Sequence, residues 1–183
     1  ALGERMLFEV LRERAVEALR GVSRLVVTSP HCLDAFRRLY GREWEVRHYV
    51  ELLDGLVSGG ALRPGQLPLR AVFHDPCVLG RRHGLYEEPR RVLRAIPGLS
   101  LLEFSRNRER SLCCEGGGGR MWFEAPGERR LAEVRVAEAV ELGAQVIATA
   151  CPFCHLVLED AARRLEAELE VLDVAELLAR SLR

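Results

Sequence analysis

Residues 146–154 read Val-Ile-Ala-Thr-Ala-Cys-Pro-Phe-Cys, and they are the most informative stretch of this chain of 183 residues. The apolar run at 146–148 is the length of a short buried strand. Beyond the two cysteines, apolar residues recur at core-facing helical spacing from Leu158 to Leu169, and a further strand is expected at 170–172. A strand, a helix and a second strand in this order are the repeating step of an α/β protein.

The same alternation extends to both ends of the chain. Helices are expected at about 3–20, 31–40, around 52–53, 89–95, 126–142 and after 172, with strands at 24–28, 45–47, 69–74 and 99–104. The Gly59-Gly60 and Arg63-Pro64-Gly65 segments form the best candidate linker. We therefore predict an α/β fold with two pseudo-repeated lobes, mostly parallel sheets flanked by helices, and a cysteine site at the carboxyl ends of strands.

An internal repeat supports the two lobes. Residues 25–32, Leu-Val-Val-Thr-Ser-Pro-His-Cys, align with residues 147–154, and residues 45–53 align with 170–178. A chance match of common α/β patterns is the alternative. On the repeat interpretation, residues 1–62 are the remnant of a first cysteine-rich unit without a complete site, and residues 67–183 are a complete unit. The chain would then be the C-terminal part of a longer protein.

Five cysteines in three segments have the spacing C-x35-CC-x36-C-x2-C, and they are Cys77, Cys113, Cys114, Cys151 and Cys154. Cys77 and Cys151 each follow a predicted strand, and ligand sites of open α/β sheets lie at that edge. Clustered thiolates select iron–sulfur centres or zinc. Disulfides are a weaker alternative because the chain shows neither a signal peptide nor a core-poor small scaffold. A thioredoxin-like redox pair at Cys151 and Cys154 would leave the other three cysteines unexplained.

Residues next to the cysteines are candidates for supporting roles. Gly116, Gly117 and Gly118 open a glycine run whose N–H groups could donate to sulfur. His74 could donate to a cluster or ligate zinc, although a packing role at the strand end is the commoner one. Cys32 is expected to be a buried thiol rather than a ligand.

Three further side chains are expected to play no direct part in binding. Trp122 and Met121 are expected to pack in the core beside the site, and His83 to lie in a solvated loop. No catalytic residue can be named from the sequence.

Composition narrows the class of protein. The 27 basic residues balance the 27 acidic ones, which gives no argument for a nucleic-acid partner. No apolar run approaches the roughly 20 residues of a transmembrane helix. Unpaired cysteines then favour a reducing, cytoplasmic location.

The cysteine pattern resembles the cysteine-rich CCG domain of the heterodisulfide reductase B subunit, the glycolate oxidase iron–sulfur subunit and related Fe–S oxidoreductases. The motifs that carry the resemblance are 74–77 (His-Asp-Pro-Cys), 90–98, 107–109 (Asn-Arg-Glu), 113–122 and 151–154 (Cys-Pro-Phe-Cys), within a match over roughly 67–178. Family members usually have glycine directly after the cysteine pair, where this chain has Glu115. A carboxylate there would lower the reduction potential if it pointed inward.

The resemblance implies a [4Fe–4S] cluster, possibly non-cubane, held by the five cysteines. It also implies electron transfer to a quinone or disulfide acceptor, within an oxidoreductase that supplies ferredoxin-type or flavin dehydrogenase subunits. The protein would act in the cytoplasm, with the larger complex placing it at the inner face of the membrane. A structural zinc domain of such a complex is the alternative. The chain by itself is not expected to turn over.

Overall fold

A computed structural model describes residues 4–41, 44–123 and 130–182. The helices are α1 (Arg5–Ala18), α2 (Pro30–Arg38), α3 (Tyr49–Ser58), α4 (Cys77–His83), α5 (Glu87–Arg94), α6 (Leu131–Glu141), α7 (Pro152–Arg164) and α8 (Val174–Ser181). The strands are β1 (Arg24–Val27), β2 (Glu45–His48), β3 (Arg70–His74), β4 (Ser100–Glu103), β5 (Val146–Thr149) and β6 (Glu170–Asp173). Short 3-10 turns lie at Arg108–Arg110 and Arg120–Trp122.

Strands pair in parallel throughout the described residues and form two sheets. The larger sheet has the order β4-β3-β5-β6, and β1 pairs with β2 in the smaller one. Helices cover both sheets, so the predicted α/β architecture with parallel strands is confirmed. The sequence places each crossover helix between two strands of the same direction, which requires parallel pairing.

Burial on both faces explains why the central strands are short and apolar. Ala71 and Phe73 of β3 face one hydrophobic cluster, whereas Val72 and Ile147 face the other. Neighbouring residues of a strand point to opposite faces, so a strand covered on both sides is apolar at every position. The first cluster also contains Leu33 and Val50, and it therefore joins the smaller sheet to the larger one.

The two halves of the internal repeat have the same strand register. Leu25 pairs with Val46 in the smaller sheet, and the aligned residues Ile147 and Val171 pair in the larger one. Both following helices, α2 and α7, have proline in their first turn. The sequence repeat thus corresponds to a repeated β–α–β–α arrangement.

Helix α4 was not expected from the sequence. It has seven residues and contains Gly80, so its helical signal is weak. Gly80 is required by packing, since an added Cβ would lie 2.3 Å from the Tyr86 ring. The prediction of His83 in a solvated loop is wrong, because His83 ends α4 and its side chain is 6% exposed.

Helix α6 begins at Leu131, five residues later than expected, and residues 126–129 of the predicted helix lie outside the described residues.

Among the helices of the described ranges, none is both long and apolar enough to cross a membrane.

Candidate metal centre

The five predicted cysteines lie where the fold brings three segments together. Cys77 begins α4 shortly after β3 ends, and Cys151 caps the N-terminus of α7 after β5 ends. Because β3 and β5 are neighbours in the sheet, their carboxyl ends open onto the same edge. The loop with Cys113 and Cys114 crosses this edge.

Hydrogen bonds link the five thiols into one continuous series. Cys77 bonds to Cys113, which bonds to Cys114. The Sγ atoms of Cys114 and Cys154 are 3.2 Å apart, and Cys154 also bonds to Cys151. All five are free thiols. The structure therefore brings together every cysteine of the spacing pattern.

The series holds thiolates and thiols side by side. Hydrogen bonds from the thiols of Cys114 and Cys77 lower the pKa of Cys113 to about 2. The Cys154 thiol, and to a smaller extent the His31 side chain, lower the pKa of Cys151 to about 5. Donating to neighbouring sulfurs raises the pKa of Cys77, Cys114 and Cys154. A metal that binds all five must displace the remaining protons, which its positive charge makes favourable.

The donor set fits a sulfur-ligated metal group. Cys114, Cys151 and Cys154 are nearly fully buried and pack in one apolar cluster with Phe104 and Val136. Soft thiolates in an apolar shell select iron–sulfur clusters or zinc over hard cations.

The glycine run approaches the cysteines closely, as its sequence predicts. Gly116 is buried, and an added Cβ would lie 3.0 Å from the carbonyl oxygen of Phe153. The N–H groups of Glu115 and Gly116 donate to the Sγ atoms of Cys113 and Cys114 at 3.3 and 3.4 Å. A side chain at 116 would crowd the Phe153 backbone, and the two N–H groups stabilise negative charge on sulfur.

His74 is a candidate nitrogen donor that the structure puts beside these sulfurs. Its ring is 1% exposed, and its Nδ1 atom has no hydrogen-bond partner among the described residues. Ligand atoms of His74, Cys114 and Cys154 all lie within 4.8 Å of one another. Burial lowers the pKa of His74 to about 3, so the imidazole is neutral and able to ligate a metal.

Glu115 adopts a backbone conformation that glycine prefers. Its φ is +66°, in the left-handed region. Its carboxylate accepts a hydrogen bond of 2.9 Å from the Leu131 N–H and lies 3.4 Å from Arg120. The side chain is therefore occupied at the start of α6.

A buried ion network, which the sequence did not reveal, fixes two of the three segments. The Arg90 guanidinium is fully buried and binds both oxygens of Asp75 at 2.6 and 2.8 Å. It also binds both oxygens of Glu103. Asp75 accepts from the Arg108 N–H at 2.8 Å, and its carbonyl oxygen accepts from the Ser111 hydroxyl at 3.2 Å. The turn before Cys77 is thereby tied to the loop before Cys113.

Several expectations about nearby residues were wrong. Cys32 is an exposed thiol, because its helix turns it away from the core. Trp122 is 77% exposed rather than packed in the core, since it lies on a short turn at the surface, and Met121 is half-buried.

His31 was missed as a neighbour of the site. The internal repeat gave the available signal, because it aligns His31 with Phe153 of the Cys-Pro-Phe-Cys turn.

Comparisons with known proteins agree with this geometry. Residues 71–159 match the family model described as a cysteine-rich domain, CCG. The chain is 41% identical to the probable iron-sulfur-binding oxidoreductase FadF of Bacillus subtilis, over 98% of the chain and 27% of that protein. It is 35% identical to the EtfAB:quinone oxidoreductase of Syntrophomonas wolfei, over 97% of the chain and 27% of that protein.

A third relative belongs to the dihydromethanophenazine:CoB–CoM heterodisulfide reductase of Methanosarcina acetivorans, of which it is one subunit. The identity is 36%, over 94% of the chain and 44% of that relative. The chain thus spans between about a quarter and less than half of the length of these relatives.

Proposed function

Because residues 71–159 belong to the CCG cysteine-rich domain family, we propose that the chain binds an iron–sulfur cluster and passes electrons within a larger oxidoreductase. The observation that carries this proposal is the unbroken series of five thiols from three distant segments. Such a cluster takes up and releases single electrons. Cys77, Cys113, Cys114, Cys151 and Cys154 are its proposed ligands.

The number of sulfurs favours a cluster over a single ion. Zinc takes four ligands, and so does a cubane cluster with one cysteine on each iron. Five thiols in contact suit a non-cubane [4Fe–4S] cluster, or leave one sulfur free.

The surrounding residues have defined roles in this proposal. The N–H groups of Glu115 and Gly116 donate to ligand sulfurs and so stabilise the reduced, more negative state. Asp75 and Arg90 keep the turn before Cys77 against the loop before Cys113. Burial of Cys114, Cys151 and Cys154 excludes water from one side of the cluster.

Metal analysis tests the cofactor directly. The chain is prepared anaerobically, and iron, zinc and acid-labile sulfide are measured together with the low-temperature EPR spectrum of the oxidised and reduced protein. The proposal expects several iron ions, an equal amount of sulfide and an EPR signal that depends on redox state. A protein reconstituted with iron and sulfide that retains neither would contradict it.

A structural zinc site is the second candidate, and one observation favours it. The ligand atoms of His74, Cys114 and Cys154 already lie within 4.8 Å of one another, which is the size of a single-ion site. Cys77→Ser separates the two candidates. A zinc ion held by His74 with Cys114 and Cys154 would survive this change, whereas a cluster that uses Cys77 would be lost.

Partners and acceptor follow from the relatives. One is named a quinone oxidoreductase of EtfAB, and another is a subunit of a heterodisulfide reductase. We propose that this chain receives electrons from a flavin or ferredoxin-type subunit and delivers them to a quinone or a disulfide. Six free thiols suit a reducing compartment, so the proposal includes the cytoplasmic side of the membrane.

We also propose that residues 1–62 correspond to the last part of a unit like residues 67–183. Equal strand register in the two halves supports this division. The first half has Ser29 where the second has Cys151, so residues 1–62 are not proposed to hold a cluster of their own.

A further inference from the structure

His31 belongs to the first half of the repeat but lies at the cysteine site of the second half. It occupies the first turn of α2, where the Ser29 hydroxyl accepts a hydrogen bond of 3.3 Å from its backbone N–H. Phe153 occupies the aligned position of α7. The two rings meet edge to face, with centroids 5.0 Å apart and an angle of 83° between their planes.

Two segments of the proposed site touch the His31 ring. A Cβ added at Gly117 would lie 3.3 Å from His31 Cε1 and 3.7 Å from Nε2, so the ring rests against the backbone of the glycine run. The side chain also lies within hydrogen-bonding reach of the Cys151 sulfur. His31 therefore bridges the glycine run and the Cys-Pro-Phe-Cys turn.

Phe153 cannot perform this role from within the second half. Its side chain has no hydrogen-bond donor, and it serves as the wall against which the imidazole packs. The contact on Gly117 leaves little room for a side chain at 117 without displacing the ring. The imidazole is thus held by two neighbours, while one of its nitrogens can address sulfur.

We infer that His31 is a positioning residue of the cluster, donating an N–H hydrogen bond to the ligand sulfur of Cys151. The inference rests on the proposed function. A donor to a ligating thiolate withdraws electron density from it and makes the added electron less unfavourable, so the reduction potential rises. Residues of the first half would then tune a cluster that is held by the second.

Three substitutions separate donation from packing. His31→Phe keeps an aromatic ring against Phe153 and Gly117 but removes the N–H. His31→Gln keeps an N–H donor without the ring. His155→Phe is the matched control, since His155 is a half-buried histidine of α7 that lies 3.9 Å from Glu176 instead.

The readout is the reduction potential of the cluster, from an EPR-monitored redox titration of anaerobically prepared protein with equal iron content. We expect His31→Phe to favour the oxidised cluster by about tenfold, which corresponds to about 59 mV for one electron. His31→Gln is expected to retain most of the wild-type potential, and His155→Phe all of it.

Two results would overturn the inference. One is a His31→Phe protein with the wild-type potential, and the other is an equal fall in the Phe and Gln variants, which would indicate packing alone. Wild-type protein that binds no iron and sulfide would instead overturn the proposed function, so the two failures are distinguishable.

Discussion

The Tyr49 hydroxyl donates a hydrogen bond of 2.6 Å to Oδ1 of Asp173, and this contact joins residues 124 positions apart in the chain. Each residue lies where a strand of one half ends and a helix begins, β2 and α3 for Tyr49 and β6 and α8 for Asp173. Burial, together with the adjacent carboxylate, raises the pKa of Tyr49 well above its usual value, so the phenol remains a donor. The bond fixes the two halves of the repeat to each other.

Tyr49→Phe should lower the free energy of unfolding by about 1–2 kcal/mol, because the buried Asp173 carboxylate loses a donor. Urea denaturation of the metal-free chain measures this change. Tyr40→Phe is the control, since Tyr40 packs in the same half against Phe36. Equal stability of the Tyr49→Phe and wild-type proteins would show that the bond does not hold the halves together.

Arg90→Gln should be strongly destabilising, by about 3–5 kcal/mol, since it leaves the buried Asp75 carboxylate without its counter-ion. The neighbouring Arg91→Gln is a matched control. Arg91 is 46% exposed and pairs with Asp54 and Glu88 at the surface, so its loss should cost less than about 1 kcal/mol. Both values come from urea denaturation, and similar losses in the two variants would refute the role given to Arg90.

Cys113→Ser and Cys151→Ser should each lose most of the bound iron and sulfide, because serine oxygen is a poor ligand for a cluster that thiolates select. Cys32→Ser should retain the wild-type content, since Cys32 is exposed and outside the series of thiols. Iron and sulfide assays on anaerobic protein give the comparison. Loss of iron from the Cys32 variant would mean that the first half supplies a ligand.

Glu115→Ala and Glu115→Gly should differ by about 1 kcal/mol in the free energy of unfolding, with the glycine variant the more stable. Both lose the hydrogen bond to the Leu131 N–H, but only glycine adopts a φ of +66° without strain. Thermal and urea unfolding would check the order. An alanine variant as stable as the glycine variant would argue against the left-handed conformation.

The free energy of unfolding should fall as the pH is lowered from 6.5 towards 4. Burial lowers the pKa of His48 to about 4, from 6.5 in the unfolded chain. Within this window the unfolded state binds a proton that the folded state does not, so His48 alone accounts for up to about 3 kcal/mol. His74 acts in the same direction.

His48→Phe isolates the contribution of His48 to this pH dependence. The slope of unfolding free energy against pH should be shallower in the variant than in the wild type between about pH 4.5 and 6.5. Urea titrations at several pH values on the metal-free chain provide both slopes. Parallel slopes would contradict the assignment to His48.

Sequence patterns that depend on near neighbours were reliable. Strands β3, β5 and β6 were predicted from their apolar runs, and the parallel sheet followed from their alternation with helices. Helix α4 was missed because seven residues with an internal glycine carry little helical signal, and it is stabilised by packing of Gly80 against Tyr86. The same limit explains Trp122, whose exposure depends on a short turn.

The sequence alone determined the α/β class, the repeat and the set of five cysteines, because each is encoded in local composition and spacing. Only the tertiary structure decided that His31 lies on Gly117, that Arg90 is buried between Asp75 and Glu103, and that Glu115 has a positive φ. These relationships join residues that are distant in the chain or depend on backbone angles. They arise only when the two sheets share one core.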